Sequence, residues 1–443
     1  MKRFIDTLRN IWTIEELKQR ILLTLGMVLI YRLGSYVVLP GVNVDALNDA
    51  KSADAGGIVG LINMFAGGAF LRASIFGLGI MPYITASIII QLLGMAVPYF
   101  QKMQREGESG RKKINQYTRF LTIGVTAVQA PGYIASIKQS APNAFTDLST
   151  FWWVQSIFIL ITGTMFVMWL GERITDKGLG NGISLIIMIG IISRLPFAFL
   201  SEVKSRTTGN GGLIIFLIEI VILLLVIVGS ILLVQGTRRI PVQFAKKIVG
   251  NKQYGGVRQY IPLKVNAAGV MPIIFAQAIM FIPAAISGFS GGGAGIFQER
   301  YGFWYNLIFA VLIILFTYFY TAIMVNPNQL ADDMKRNGGF IPGVKPGKKT
   351  AEFIDQVMSR ITLPGSIFLA AVAVMPAFAQ KLGITSAFAD FYGGTSLLIL
   401  VGVVLDTLQQ IETYLLNRHY DGLMKSGRIK GRGANAMMVQ QGQ

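Results

Sequence analysis

Three ionisable side chains lie within long apolar stretches of this sequence and could carry chemistry there. Arg32, Glu219 and Asp406 are each surrounded by mostly apolar residues. A charge in such a position in a membrane pairs with a partner, extends to the surface, or relays protons and ions. The three positions form neither the converging set of acids nor the pair of interrupted helices that ion-coupled transport would use. Pairing or surface exposure is therefore favoured, and ion coupling stays open as the alternative.

Enzymatic chemistry finds no support in the residue types present. The chain has no cysteine and one histidine, His419, which lies near the C-terminus. It contains neither a GxxxxGK[ST] phosphate-binding loop nor an HExxH zinc motif. We therefore predict no catalytic residues, no metal site and no cofactor, and a membrane-embedded enzyme is the least favoured functional class.

The apolar stretches are long enough to be membrane-spanning helices. The chain has 443 residues, of which 53% are hydrophobic and 14% charged, whereas soluble domains average about 25% charged residues. A helix needs roughly 20 mostly apolar residues to span a bilayer. These properties predict an all-α integral membrane protein with ten transmembrane helices. The predicted spans lie at about 21–40, 76–97, 118–137, 152–171, 182–200, 213–235, 268–288, 304–325, 363–380 and 396–416.

The distribution of positive charge predicts the orientation of these helices. The net charge is +18, and most lysines and arginines fall in alternate loops and near both ends of the chain. Because basic loops remain cytoplasmic, both termini are predicted to be cytoplasmic, which requires an even number of spans. Residues 1–20 then form an amphipathic cytoplasmic segment that we expect to be retained, and residues 417–443 form a basic cytoplasmic tail.

Two cytoplasmic loops are larger and more basic than orientation alone requires. Residues 236–265 contain seven basic residues and no acidic one, and residues 326–362 have helical flanks around a Gly/Pro-rich tip at 338–347. The charge of the first loop fits attraction to anionic lipid or docking of a partner with an acidic or phosphate-rich face, and the size of the loop favours docking. The candidate partner-binding residues are Arg238, Arg239, Lys246, Lys247, Lys252, Arg258, Lys345, Lys348 and Lys349.

Two neighbouring segments have patterns that are unusual for lipid-facing helices. The stretch GLGIMPYITASIIIQLLGM, residues 77–95, places Ile80, Ile84 and Ile88 at helical spacing with polar residues between them. Residues 56–75 are apolar, rich in glycine and too short to cross a bilayer alone. Such backbone survives at membrane depth only when it is buried in protein or lines an aqueous cavity. The residues alone leave open a re-entrant segment and an ordinary external loop.

Several long motifs resemble the SecY family, whose members are central subunits of protein-conducting channels. The motifs occur in family order over nearly the whole chain. They are NMFAGGAFLRASIFGLGIMPYITASIIIQLL (63–93), EGESGRKKINQYTR (106–119), TGTMFVMWLGERIT and GLGNGISL (within 162–185), PLKVNAAGVMPIIFA (262–276), NPNQLADDMKRNGGFIPGVKPGKKTAEFIDQVMSR (326–360) and FYGGTSLLILVGVVLDTLQQIE (391–412). The resemblance implies two pseudo-symmetric halves of five helices, residues 21–200 and 213–416, around a central hourglass pore.

The resemblance also implies roles for individual residues. In such channels apolar side chains from several helices form a ring that seals the waist, and a ring of this kind gates by excluding water. The matching positions are Ile80, Ile84, Ile183, Ile187, Ile274 and Ile399. Within each of the first two pairs the spacing is i, i+4, which places both side chains on one helix face.

A plug and a lateral gate are implied next to this ring. The plug is a short helix at about residues 60–73 that blocks the external funnel until it is displaced. The residues assigned to it are Asn63, Met64, Phe65, Gly67, Gly68 and Arg72. The lateral gate separates the second and third spans from the seventh and eighth and lets an apolar segment enter the lipid. The residues assigned to the gate are Thr85, Gln91 and Asn181.

The implied function is a passive protein-conducting channel in the bacterial cytoplasmic membrane. Unfolded secretory polypeptides would cross it and hydrophobic segments would leave it sideways, driven by external partners. The implied partners are SecE-like and SecG-like small membrane subunits, the SecA motor ATPase, the ribosome, signal peptides, nascent or unfolded polypeptides, and membrane lipid. An ion-coupled secondary transporter of a small solute is the alternative.

One position departs from the family, because Lys345 stands where arginine is usual. Lysine lacks the planar guanidinium group of arginine, which can form two parallel hydrogen bonds with one partner.

Overall fold

The computed structural model describes most of the chain. The described residues are 12, 14–44, 46–47, 63–145, 149–208, 212–244, 247–249, 252–254, 258–277, 279–280 and 301–425. Several predicted features lie partly outside these ranges. They are most of the N-terminal segment, the start of the plug at 60–62, the end of the seventh span at 281–288, Lys246, and the tail from residue 426 onward.

The described part of the first half of the chain is built mainly of helices. These are α1 (Glu15–Gly34), α2 (Met81–Ala96), α3 (Pro98–Arg105), α4 (Glu108–Ser140), α5 (Thr150–Lys177), α6 (Gly182–Ile192) and α7 (Leu195–Thr207). Pro98 separates α2 from α3, because the residue before a proline is disfavoured in the helical region. Val97 accordingly has φ −110° and ψ 120°, and the chain bends by 101° between the two helices.

The second half combines long helices with two small sheets. Its helices are α8 (Gly212–Gln235), α9 (271–277), α10 (Phe303–Met324), α11 (Pro327–Arg336), α12 (Lys348–Lys381), α13 (Ser386–Ala389) and α14 (Gly394–Lys425). Its strands are β1 (Thr237–Phe244), β2 (Lys247–Val249), β3 (Lys252–Tyr254), β4 (Arg258–Lys264) and β5 (Gly339–Phe340). All five strands belong to the two basic loops.

These two loops fold against each other as one unit, which the sequence analysis does not predict. β1 pairs antiparallel with β4, and β5 from the second loop pairs with the end of β1. Because side chains alternate across a strand, Ile240 and Val242 of β1 point to the same face, and both are buried. They pack against apolar residues of α11 and of the first turns of α12, among them Ile354. The basic loops are therefore a structured surface with an apolar core.

The described residues do not confirm the predicted number of spans. Within the described residues, seven helices are long and apolar enough to cross a membrane, or eight if the bent pair α2–α3 counts as one span. The prediction of ten is therefore not confirmed in number. α1 is not among these helices, because it contains five charged residues, Glu15, Glu16, Lys18, Arg20 and Arg32. The seventh predicted span is described only as far as residue 280.

The apolar core has parts inside each half and a part that joins the two halves. One cluster packs α4 and α5 against the segments that precede α2, and another packs α8, α10, α12 and α14. The joining cluster takes Tyr31 and Ile186 from the first half and Phe388, Ile399 and Val403 from the second. The centre of the molecule is therefore an apolar junction between the halves.

Candidate functional site

The central junction brings together all six isoleucines that the sequence analysis assigned to a ring. Three of them are buried, with Ile80 3% exposed, Ile187 5% and Ile399 2%. Ile84, Ile183 and Ile274 are partly buried and pack against the same cluster. The six side chains come from α2 and the residue before it, α6, α9 and α14. Residues far apart in the sequence thus form one contiguous apolar group.

The start of α6 explains how two of these isoleucines are positioned. Asn181 caps the helix, because its Oδ1 accepts hydrogen bonds from the backbone N–H groups of Ile183 (3.1 Å) and Ser184 (3.4 Å). Such a cap satisfies N–H groups that have no partner within the helix. The helix therefore begins at Gly182, and Ile183 and Ile187 lie one turn apart on its central side.

Two plug residues belong to the same apolar cluster. Met64 and Phe65 are 4% and 6% exposed and contact the central group. Asn63 organises the turn that follows, because its backbone carbonyl accepts from Gly68 N (2.7 Å) and its Oδ1 accepts from Leu71 N (3.1 Å). The described part of the segment assigned to the plug therefore places its apolar side chains in the same cluster as the isoleucines.

The backbone of the plug is held by α1 and α6. Arg32 Nη1 donates to the carbonyl of Gly67 at 2.9 Å. On the other side α6 approaches so closely that a Cβ on Gly190 would lie 2.5 Å from the carbonyl oxygen of Phe65. Gly67 and Gly68 have φ of 62° and 88°, a region that residues with a Cβ rarely adopt. Glycine is therefore required at these plug positions by the turn itself.

The residues assigned to a lateral gate make local hydrogen bonds. Thr85 Oγ1 donates to the carbonyl of Met81 at 3.1 Å, and Gln91 Nε2 donates to Ser87 Oγ at 3.3 Å, so both bonds stay within α2. Asn181 is the cap of α6 described above. A gating role for these three residues stays a prediction.

The intramembrane charges have different surroundings. Arg32 binds the plug carbonyl and lies over the Tyr36 ring, whereas Asp406 is exposed. Glu219 is paired, which confirms the structural interpretation for this residue, and its partner is Arg206. The pairing interpretation thus holds for Glu219 and, through a backbone carbonyl, for Arg32.

A buried ionic network around Arg206 was missed by the sequence analysis. Arg206 Nε donates to Glu202 Oε1 (3.0 Å), and its Nη2 donates to Glu219 Oε1 and to the carbonyl of Gly383 (2.8 Å). The second oxygen of Glu202 accepts from the backbone N–H of Thr385 at 2.9 Å. The network ties α7, at the end of the first half, to α8 and to the loop after α12. The i, i+4 spacing of Glu202 and Arg206 was the available signal.

The basic unit, which is the sheet of β1, β4 and β5 packed on α11 and α12, displays basic residues to solvent where the structure describes their side chains. Arg238 and Arg239 on β1, and Lys345, Lys348 and Lys349 around the start of α12, are exposed. Lys349 Nζ pairs with Glu352 at 2.8 Å. For Lys247, Lys252 and Arg258 the structure describes the backbone in strands β2, β3 and β4, and Lys246 lies outside the described residues.

Among the described residues, the arrangement as a whole is an apolar cluster at the junction of the two halves. Branched side chains that meet in a pore exclude water and ions without binding them. Among the residues that the structure describes, no group of three or more acidic, histidine or cysteine residues could hold a metal ion. The site can thus act as a seal, and its chemistry is that of apolar contact.

Comparisons with known proteins agree on one family. A family model described as SecY matches residues 74–408. The protein translocase subunit SecY of Mycobacterium tuberculosis is 41% identical over 451 residues, which cover 96% of this chain and 100% of the relative.

Solved structures of similar fold are channels. The structure described as a protein conducting channel aligns with a TM-score of 0.65 at 18% sequence identity, over 89% of this chain and 92% of that chain. Sec61 in the canine ribosome-channel complex aligns with a TM-score of 0.62 at 17% identity, over the same shares of the two chains.

Proposed function

The chain belongs to the SecY family, and we propose that it forms the protein-conducting channel of a translocase, through which unfolded polypeptides cross a membrane. The close relatives are protein translocase subunits, so the alternative of an ion-coupled solute transporter is not supported. It is a multi-pass membrane protein of channel fold.

We further propose that it lies in the bacterial cytoplasmic membrane with both termini in the cytoplasm. In this proposal the protein has no enzymatic activity of its own, and external partners drive transport.

The observation that carries this proposal is the convergence of the six isoleucines at the junction of the two halves. A seal of branched aliphatic side chains excludes ions while the channel rests. It offers a passing chain no hydrogen bonds to retain it. Each atomic contact in it contributes only about 0.1–0.2 kcal/mol, so the seal can part around a polypeptide and close again behind it.

The experiment is a pair of polar substitutions in this seal. Ile84→Asn and Ile187→Asn should each raise the resting ion conductance of the channel in planar bilayers, because an amide at the constriction binds water that isoleucine excludes. The matched controls are Ile84→Val and Ile187→Val, which keep the surface apolar and should leave the resting conductance close to that of the wild type. Unchanged conductance in both asparagine variants would contradict the assignment of the ring.

We propose that the segment around residues 63–73 is the plug and that α2 borders the lateral gate. The plug proposal is supported by the membership of Met64 and Phe65 in the same apolar cluster as the isoleucines. The gate proposal is supported by the internal hydrogen bonds of Thr85 and Gln91, since a helix that satisfies its polar groups by itself can separate from a neighbour without leaving donors unpaired. Displacement of the plug would open the path across the membrane, and separation at α2 would open the path into lipid.

We propose that the basic unit lies on the cytoplasmic side and is the docking surface for partners. Its exposed arginines and lysines are suited to the ribosome, whose RNA is phosphate-rich, and to acidic faces of the SecA motor ATPase. Support for the ribosome comes from the neighbour of similar fold whose structure is a ribosome–channel complex. SecE-like and SecG-like small membrane subunits, signal peptides, nascent or unfolded polypeptides and membrane lipid complete the proposed set of partners.

A further inference from the structure

Three arginines from separate elements converge on the two glycines of the plug. Arg32 lies in the last turn of α1, Arg72 lies in the plug segment, and Arg194 lies between α6 and α7. A Cβ on Gly68 would be 3.4 Å from Arg72 Nη2 and 3.8 Å from Arg194 Nη1, and a Cβ on Gly67 would be 2.7 Å from Arg32 Nη1. The three guanidinium groups therefore surround one short stretch of backbone.

The positive charge of this cluster is only partly compensated. Among the residues that the structure describes, Asp390 is the acidic residue whose charge acts on Arg194, while Arg32 and Arg72 act on Arg194 with the same sign as its own. Asp390 is shared, because it also accepts a hydrogen bond from the Tyr301 hydroxyl at 3.2 Å. The C-terminal end of α1 offers partial negative charge to Arg32. These contributions leave the cluster with an excess of positive charge.

The donors of the cluster are also incompletely used. Arg72 lies over the ring of Tyr36, with 4.1 Å between Cζ and the ring centroid, and its Nη1 is buried without a hydrogen-bond partner. A guanidinium group carries five N–H donors and no acceptor, and a buried donor without an acceptor is costly. The cluster therefore has both the charge and the unpaired donor that an anion would satisfy.

We propose that Arg32, Arg72 and Arg194 form a binding site for a small phosphate-like oxyanion that holds the plug in its resting position. Guanidinium groups bind phosphate oxygens through paired, charge-assisted hydrogen bonds. The anion would join the plug to α1 and to the α6–α7 junction, since each element contributes one arginine. Gly67 also lies against α6, because the Cα of Gly190 would be only 3.0 Å from a Cβ on Gly67. The site is therefore formed between protein elements, and we assign it to a small free anion. The locking role rests on the proposed function, whereas the binding of the anion does not.

The first experiment measures binding without reference to transport. Inorganic phosphate should raise the unfolding temperature of the purified full-length protein in detergent, at an ionic strength held constant with chloride. Arg72→Gln and Arg194→Gln should each weaken the apparent affinity about tenfold, because each removes a charged hydrogen bond. If the Arg72→Gln protein does not fold, Arg194→Gln tests the site by itself. Arg119→Gln is the control, since Arg119 pairs with Glu172 (2.7 Å) away from the plug, and it should keep the phosphate response.

Three results would overturn the site. An equal response to phosphate in the wild type and in both glutamine variants would place the anion elsewhere. An equal response to chloride would show that the effect is charge screening alone. Stabilisation by vesicles of phosphatidylglycerol over phosphatidylcholine, without any response to free phosphate, would assign the arginines to a lipid headgroup.

The second experiment tests the locking role. Phosphate should lower the resting ion conductance of the wild type in planar bilayers and should have no effect on Arg194→Gln. Phosphate binding in the first experiment together with an unchanged wild-type conductance would overturn the lock. A failure of the channel function itself is distinguishable, because it would appear as the absence of any conductance increase in Ile84→Asn and Ile187→Asn.

Discussion

Arg206 shows how much one buried residue can depend on distant partners. Glu202 is fully buried and Arg206 is 6% exposed, and together with Glu219 they form a network with two acidic groups and one basic group. The sequence carries a local signal for the first pair, whose members are four residues apart on α7. The participation of Glu219, Gly383 and Thr385 could not be predicted. Glu219 and Gly383 meet Arg206, and Thr385 meets Glu202, only after the two halves have packed.

Replacement of Arg206 should strongly destabilise the protein. In Arg206→Ala two buried carboxylates lose their common partner, and breaking a buried ion pair on one side costs about 3–5 kcal/mol. The free energy of unfolding in detergent, measured by denaturant titration, tests this expectation. The matched control is Arg119→Ala, whose pair with Glu172 is substantially exposed and should contribute about 0.2–1 kcal/mol. Equal losses in the two variants would show that the network does not hold the halves together.

At the level of elements, α6 links the ring isoleucines to the segment assigned to the plug. The helix begins at a capped position, carries Ile183 and Ile187 toward the centre, and ends with Gly190 against the plug backbone. The helical spacing of the isoleucines is visible in the sequence. The close contact of Gly190 with Phe65 is not, because it depends on the tertiary position of a segment more than 100 residues earlier in the chain.

The contact at Gly190 predicts a specific way to displace the plug. In Gly190→Ala the added Cβ would lie 2.5 Å from the carbonyl oxygen of Phe65, so the plug backbone must move, and overpacking of this kind costs about 1–3 kcal/mol. We expect a higher resting ion conductance in planar bilayers. Gly26→Ala in α1 is the control, because nothing lies within 4 Å of its added Cβ and alanine favours a helix. A conductance like that of the control would mean that the plug does not depend on this contact.

At the level of the whole molecule, the halves share one apolar junction, and the basic unit belongs to the second half. That unit is a small sheet packed on α11 and α12, with an apolar core and a basic exterior. The two roles proposed for this protein lie in different places, since the isoleucines belong to the junction between the halves and the charged surface belongs to a separate apolar cluster. A partner could therefore bind at the basic unit without contacting the isoleucines.

The docking surface should respond to charge and to salt. The double variant Arg238→Glu and Arg239→Glu should weaken binding of ribosomes or of the motor ATPase, and the difference from the wild type should grow as salt concentration falls, because salt screens exposed charges. Both residues are exposed on β1, so folding should be preserved. Lys138→Glu, at the predicted external end of α4, is the control and should bind like the wild type. Equal affinity of the double variant at low salt would contradict docking at this sheet.

The sequence by itself determined the membrane class, the apolar segments, the charge asymmetry and the family. These properties are local or additive, because hydropathy, spacing along one helix and motif order can be read without knowing what packs against what. The same kind of reading identified six candidate isoleucines and the plug segment.

Only the tertiary structure decided which of these residues meet. It gathered the isoleucines with Met64 and Phe65 at the junction of the halves, joined two separate loops in one sheet, and placed three arginines around the plug glycines. The physical reason is that burial, ion pairing and close approach of backbones each depend on two residues that are far apart in the sequence. Such contacts form only when separate helices bury their apolar faces against one another.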